Sequence, residues 1–161
     1  MRHKTFAFAL AAILSFASIS NAFALNCVQF VKSVSDIDIS GNAWTWWDHA
    51  AGVYARGTAP REESVLVFKR TRHMPAGHVA VVSSVLNDRM VLIDQANWTS
   101  HRRDNRNVER GVAVKDCSSG HDWSAVCVWN DKYRVFGRPY PISGFIYPQA
   151  AQRTAQLERS R

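Results

Sequence analysis

The sequence contains few of the residues on which unusual folds depend. Its 161 residues include only three cysteines, five prolines and eight glycines, too few for a disulfide scaffold or a low-complexity chain. Charged residues make up 20% of the chain and hydrophobic residues 47%, which excludes intrinsic disorder. No apolar run reaches the roughly 18 residues that a membrane-spanning helix needs. We therefore expect one folded domain without stable membrane insertion.

The first 24 residues have the organisation of a secretory signal peptide. Arg2, His3 and Lys4 form a basic start, residues 6–17 are apolar, and residues 22–24 read Ala-Phe-Ala, the small-x-small pattern that precedes a cleavage site. We expect cleavage after the second of these alanines, near residue 24. The predicted location of the protein is therefore periplasmic or secreted.

The chain divides into three predicted parts: a signal peptide over 1–24, a folded domain over 25–148 and a polar tail over 149–161. Twenty Lys and Arg outnumber 13 Asp and Glu, and the formal net charge is +7. The folded domain stays basic without the leader, which favours an anionic surface or polymer as partner, although ordinary solubility explains the charge equally well. The arginine cluster at 102–110 contains acidic residues and no aromatic side chain, so we expect no nucleic-acid partner.

The odd number of cysteines means that one of them is free or forms a bridge to another chain. In an oxidising compartment two cysteines should pair, and Cys117 and Cys127 enclose a short turn-forming segment, so they are the expected disulfide. Cys27 is then free. A zinc site built from Cys117, His121 and Cys127 is the alternative, although this spacing is a poor match to zinc sites.

The residues around Cys27 predict a helix that begins there. Asn26 is a good N-cap, and apolar residues recur at helical spacing at Val28, Val31 and Val34. The first turn of a helix exposes amide N–H groups and the positive end of the helix dipole, both of which favour a thiolate. Cys27 is therefore a candidate nucleophile, and a buried structural cysteine is the alternative interpretation.

A thiol nucleophile needs an imidazole for proton transfer, and His78 is the best placed candidate. It lies at the start of the β-forming run Gly77–Val82, directly after a Pro-Ala-Gly turn. The other four histidines of the folded domain, at positions 49, 73, 101 and 121, are interpreted as structural or solvated. His78 is thus expected at the beginning of a strand, with its side chain available for chemistry.

The strand that follows predicts which polar groups lie beside His78. If the hairpin turn at residues 86–89 is symmetric about its centre, His78 lies opposite Asn97. Gln95 then shares that face of the sheet, whereas Asp94 points to the other face. A slip of one residue would exchange the two faces and bring Asp94 to the imidazole instead.

Several short motifs occur together in a characteristic order. They are Cys27-Val28-Gln29-Phe30-Val31-Lys32, Gly41-Asn42-Ala43, Trp47, Ala51, Pro60, Val65-Leu66-Val67-Phe68, Gly77-His78-Val79-Ala80-Val81-Val82 and Asn97-Trp98. In order and spacing they resemble the CHAP family of cysteine, histidine-dependent amidohydrolases and peptidases, over about residues 25–98. Later segments resemble the C-terminal half of single-domain bacterial members: Asp122-Trp123-Ser124, Val128-Trp129 and Pro141-Ile142-Ser143-Gly144-Phe145-Ile146.

The resemblance implies a papain-like α+β fold, in which N-terminal helices pack on an antiparallel sheet of about five or six strands. It also implies hydrolysis of an amide bond in peptidoglycan, either between muramic acid and the stem peptide or within the peptides. Cys27 would attack the carbonyl carbon, His78 would pass the proton to the leaving amine, and Asn97 would orient or polarise. The backbone N–H of Cys27 would form part of the oxyanion site.

Two features depart from the family pattern. Gln95 stands where relatives often have a glutamate, and a neutral amide cannot stabilise an imidazolium by charge. Only Leu25 and Asn26 precede Cys27 in the predicted mature chain, so we expect no calcium site and no cofactor. The predicted protein is a monomer acting on peptidoglycan, and the alternative is a catalytically silent envelope-binding or inhibitor module of the same fold.

Overall fold

The computed structural model describes residues 26–98 and 108–149. The predicted signal peptide, most of the arginine cluster and nearly all of the predicted tail lie outside the described residues. The described elements are α1 (Cys27–Val34), α2 (Trp46–His49), β1 (Ala55–Gly57), β2 (Val65–Phe68), β3 (His78–Asn87), β4 (Met90–Ala96), β5 (Val108–Asp116), β6 (Ala125–Asn130), β7 (Val135–Phe136) and β8 (Tyr140–Tyr147). A 3₁₀ turn over Ala43–Thr45 leads into α2.

Six of the strands close into an antiparallel barrel. The strands β8, β2, β3, β4, β5 and β6 are neighbours in that order, and β8 also pairs with β6 to complete the ring. The short strand β1 extends the sheet beside β8, and β7 pairs with the end of β6. Closure satisfies the backbone hydrogen bonds of the barrel strands around the whole ring.

The predicted papain-like α+β fold, with N-terminal helices packed on an antiparallel sheet of about five or six strands, is wrong. The structure is mostly β: α1 has eight residues, α2 has four, and the sheet closes on itself. Closure depends on two paired positions between distant strands, Ala125 with Pro141 and Val126 with Tyr140. A local sequence pattern carries no information about such a contact. It also misses strands as short as β1 and β7, which span three and two residues.

Two apolar layers lie on opposite sides of the barrel wall. The interior layer draws on all six barrel strands and includes Leu66, Phe68, Ala80, Val82, Val91, Ile93, Val114, Val126, Val128, Ile142 and Phe145. The outer layer joins the helices to one side of the wall through Phe30, Val31, Trp46, Val65, Val67, Val79 and Val81. Successive residues of β2 and β3 alternate between these layers, which explains why both strands are continuous apolar runs.

A glycine immediately before β3 positions His78. Gly77 has a φ of 67°, in the left-handed region that favours glycine. A Cβ atom added there would lie 2.7 Å from the backbone nitrogen of Trp44, so the helical region approaches this turn too closely for any side chain. The backbone N–H of Trp44 donates to the carbonyl of Ala76 at 3.2 Å. The turn is therefore fixed against the segment that leads into α2.

A disulfide joins Cys117 to Cys127, with the two Cα atoms 5.7 Å apart, as the cysteine count predicts. It links the residue that follows β5 to the neighbouring strand β6. The alternative zinc site is wrong because both of its thiols are consumed in this bond. In residues 26–98 and 108–149 no cluster of three or more potential metal-ligating side chains occurs. None of the helices in these ranges is long and apolar enough to cross a membrane.

Candidate active site

Cys27 is the first residue of α1, as its sequence context predicts. The Oδ1 atom of Asn26 accepts a hydrogen bond from the backbone N–H of Gln29 at 2.9 Å. The side chain of Gln29 in turn accepts from the backbone N–H of Asn26 at 3.4 Å, which completes a capping box. This reciprocal cap fixes the start of the helix and hence the direction of the Cys27 side chain.

The thiol of Cys27 is free and half-buried. Burial raises its pKa, and this effect outweighs hydrogen bonds from the backbone N–H groups of Val79, Val28 and Cys27 itself, which act to lower the pKa. The expected preference for a thiolate is therefore wrong for the resting site. The N–H groups at the helix start are present, but the removal of water from around the sulfur has the larger effect.

His78 is the first residue of β3 and is buried, with 4% of its surface exposed. Its ring packs edge-on against Phe68 and Trp98, with centroid separations of 5.5 and 4.9 Å. Burial lowers the pKa of His78 to about 4, and the hydrogen bond to Gln95 offsets only part of that shift. The imidazole is therefore neutral at neutral pH, so one ring nitrogen carries a proton and the other is a free base.

The predicted strand register is present at the end of the hairpin near His78. Val81 pairs with Asp94, and continuing this register places His78 opposite Asn97. The turn itself differs from the prediction, because Asn87 pairs with Met90 and the loop is centred one residue later. Two register shifts along β3 and β4 compensate for this difference and restore the predicted faces.

Of the three polar candidates, Gln95 is the one that binds the imidazole. Its Oε1 atom lies 3.1 Å from His78 Nε2, and its side chain is completely buried. Asn97 lies in the left-handed region at the end of β4, with a φ of 59°. Asp94 points to the other face, where it accepts from Arg110 Nη1 at 2.9 Å and from the backbone N–H of Gly111 at 2.8 Å. Asp94 therefore stabilises the packing of β5 and does not orient the histidine.

A residue that the sequence did not predict extends this contact. The Nε2 atom of Gln95 donates to Oε2 of Glu109 at 2.8 Å, and the two residues are direct partners in the pairing of β4 with β5. Glu109 is the second residue of β5, which begins at Val108. No local signal in the sequence aligns this strand with Gln95.

Cys27, His78 and Asn97 share one open cleft of about 590 Å³. The cleft runs across the start of α1, the turn before β3 and the end of β4. The other lining residues are Asn26, Val28, Gly41, Asn42, Ala43, His73, Met74, Pro75, Ala76, Gly77, Trp98, Asn130, Arg138 and Tyr140. Gln95 is buried behind His78, outside the lining of the cleft. The structure thus brings together the four predicted catalytic residues, with Gln95 in a supporting position.

The far wall of the cleft is aromatic and basic. Trp98 packs against Tyr140 with a centroid separation of 5.1 Å, and the guanidinium of Arg138 lies 5.2 Å from the Tyr140 ring. His73, interpreted from the sequence as structural or solvated, also lines the cleft. Arg138 and Tyr140 were not predicted as site residues. Arg138 precedes β8, and Tyr140 is the first residue of that strand, so both reach the cleft through the long-range pairing of β8 with β2 and β6.

Comparison with known proteins agrees with this arrangement. The family model of the CHAP domain matches residues 18–97, a range that contains Cys27, His78, Gln95 and Asn97. No curated protein matches the chain. CHAP domains are generally hydrolytic, of the amidase or peptidase type found in peptidoglycan hydrolases. The chain belongs to the CHAP domain family.

Proposed function

We propose that this protein is a secreted or periplasmic peptidoglycan hydrolase that cleaves an amide bond through the thiol of Cys27. One observation supports the proposal above the others. The only cysteine outside the disulfide in the described residues lies on the first turn of a capped helix, in the same open cleft as a neutral histidine. A free thiol beside a basic imidazole is the combination that nucleophilic amide hydrolysis requires.

The first half of the proposed reaction forms a thioester. His78 accepts the thiol proton at Nδ1 while the sulfur of Cys27 attacks the carbonyl carbon of the substrate. The carbonyl electron pair moves to oxygen, and the backbone N–H of Cys27 donates to the resulting oxyanion. Collapse of this intermediate breaks the C–N bond, and His78 returns its proton to the departing amine.

The second half restores the enzyme. His78 removes a proton from water as the water oxygen attacks the thioester carbon. The C–S bond then breaks, and the proton on His78 passes to the sulfur of Cys27. The net reaction consumes one water and produces a carboxylic acid and an amine, without a cofactor.

The resting charges of the pair determine how the first step proceeds. Burial raises the pKa of Cys27 and lowers that of His78, so both groups are neutral before substrate binds. Proton transfer to His78 must therefore accompany attack on the carbonyl, rather than precede it as in a preformed ion pair. Asn97 lies in the same cleft, where its amide is available to polarise the substrate carbonyl.

The chemistry of the cleft fits an anionic peptide substrate. Arg138 and His73 line the same cleft as the proposed nucleophile, and Trp98 and Tyr140 provide an apolar wall. Without the predicted leader, 18 Lys and Arg still outnumber 13 Asp and Glu, which adds a long-range attraction to an anionic polymer. These features support peptidoglycan as the partner and do not distinguish the amidase from the peptidase reaction.

Release of new amino groups from purified peptidoglycan tests this proposal. We expect release by the wild-type protein, its loss in Cys27→Ala, and its retention in the matched cysteine control Cys117→Ser/Cys127→Ser, with folding checked by circular dichroism. Iodoacetamide should label Cys27 in the non-reduced protein and abolish release. Mass analysis of the fragments identifies the bond that is cut. Release that persists in Cys27→Ala would refute the thiol mechanism.

A silent envelope-binding module is the second candidate. The neutral resting pair and the neutral Gln95 favour it, because both leave the thiol less reactive than an ion pair would. This candidate predicts that wild-type protein sediments with peptidoglycan without releasing amino groups or glycan-free peptides. Labelling of Cys27 in the same sample would show that the thiol is accessible. The lack of amino-group release could then not be explained by an inaccessible site.

A further inference from the structure

A hydrogen-bonded chain links the imidazole of His78 to a carboxylate outside the proposed catalytic set. His78 Nε2 lies 3.1 Å from Gln95 Oε1, and Gln95 Nε2 lies 2.8 Å from Glu109 Oε2. Gln95 is completely buried and Glu109 is half-buried. Because Gln95 and Glu109 are paired across β4 and β5, the backbone of the barrel holds their side chains together.

The carboxylate determines which end of the Gln95 amide faces the histidine. A carboxylate only accepts hydrogen bonds, so Glu109 binds the NH₂ group of Gln95 and not its oxygen. The amide oxygen then faces His78, and Nε2 of the ring must carry the proton that it donates to this oxygen. The other ring nitrogen, Nδ1, keeps its lone pair.

We infer that Glu109 is a positioning residue that acts through Gln95 to hold His78 in the tautomer with the proton on Nε2. The catalytic consequence rests on the proposed function, because only this tautomer leaves Nδ1 free to accept the proton of Cys27. A reversed amide would present NH₂ to His78 and require the proton on Nδ1. In that tautomer Nδ1 already carries a proton and cannot accept the proton of the Cys27 thiol.

Reversing the hydrogen-bonding character of residue 109 tests the inference. A lysine only donates, so Glu109→Lys should bind the oxygen of Gln95 and turn its NH₂ toward His78. Glu109→Gln can either accept or donate, so it no longer fixes the direction of the Gln95 amide. Glu62→Lys is the matched control, since it makes the same charge change on an exposed side chain that bonds to Ser84 and the backbone of Val85.

The first readout is the tautomer itself, measured at neutral pH by long-range ¹⁵N–¹H correlation of the His78 ring without substrate. We expect the Nε2–H form in wild type and Glu62→Lys, a mixture of the two tautomers in Glu109→Gln, and the Nδ1–H form in Glu109→Lys. The double variant Q95E/E109K should restore the Nε2–H form, because its central carboxylate accepts from both the imidazole and the ammonium. A merely structural role for Glu109 would produce neither the reversal nor the restoration.

The second readout is the rate of amino-group release. Glu109→Lys should lower kcat on the order of 100-fold, the scale of lost general-base catalysis, while KM stays within about threefold. Glu62→Lys should stay within about threefold of wild type in both constants, and the kcat of Glu109→Gln should lie between those of wild type and Glu109→Lys. Partial recovery of kcat in Q95E/E109K would support the same chain.

Two results would overturn the inference: an Nδ1–H tautomer in wild type, or an unchanged Nε2–H tautomer in folded Glu109→Lys. An Nδ1–H tautomer in wild type would overturn the inference whether or not Glu109→Lys folds. Failure of the proposed function is separable, because a protein that releases no amino groups still reports its His78 tautomer. Conversely, amino-group release that is lost in Cys27→Ala but unchanged by substitutions at residue 109 would support the hydrolase and show that Glu109 has no role in its mechanism.

Discussion

Burial of a neutral His78 should make the stability of the fold depend on pH below neutrality. The pKa of His78 falls from 6.5 to about 4 in the folded protein, because the ring is buried among aromatic side chains. Between these values the unfolded chain binds a proton that the folded one does not. The stabilising contribution is therefore complete above pH 6.5 and is lost as the pH falls towards 4.

The size of this loss follows from the shift. Each pKa unit corresponds to about 1.4 kcal/mol, so lowering the pKa from 6.5 to about 4 corresponds to about 3 kcal/mol of unfolding free energy. Small domains are stable by only about 5–15 kcal/mol, so one residue would account for a substantial part of acid destabilisation. Other titrating groups add their own dependence, which a comparison with a variant removes.

Urea unfolding followed by tryptophan fluorescence between pH 7.5 and 4.5 measures the effect. His78→Gln cannot titrate at this position, so its stability should fall by about 2–3 kcal/mol less than that of wild type over the range. His49→Gln, a change at an exposed histidine, should retain the wild-type pH dependence. Parallel curves for wild type and His78→Gln would refute the burial of a neutral imidazole.

Two further predictions follow from the geometry around His78. Gly77→Ala should destabilise the fold by about 1–3 kcal/mol more than Gly111→Ala, as measured by urea unfolding. Both glycines have a positive φ, but only a Cβ at Gly77 would collide with Trp44. Equal losses of stability would show that the contact with Trp44 is not the cause. In the hydrolase, the low pKa of His78 should place the acid limb of kcat/KM near pH 4 and well below 6.5 wherever the protein stays folded. An acid limb at 6.5 would mean that the ring is solvated in the working enzyme.

Local sequence patterns predict the proposed catalytic residues better than they predict the fold. Asn26 and the apolar spacing after it place Cys27 at a helix start, and the capping box confirms this start. The alternation of residues in the hairpin places Gln95 on the face of His78, although two compensating bulges were needed to reach that register. Both inferences depend on residues close together in the chain, where local geometry dominates.

Local sequence patterns could not predict the long-range features of the structure. The contact of β6 with β8 closes the barrel, and the position of Glu109 opposite Gln95 depends on the register of β5. Neither has a local periodic signal, because strand pairing is decided by the packing of the whole interior layer. The expected helix-dipole activation of Cys27 was wrong for a related reason. Burial, which only the assembled structure reveals, raises its pKa by more than the helix N–H groups lower it.

The arrangement of Gln95 between His78 and Glu109 separates two tasks that a single carboxylate would combine. A carboxylate in direct contact would orient the ring and also favour its protonated form by charge. Here the amide transmits orientation through two hydrogen bonds of 3.1 and 2.8 Å, while the charge stays one side chain away. Burial is then free to lower the pKa of His78 to about 4. The ring remains an oriented neutral base, which is the state that the proposed proton transfer from Cys27 requires.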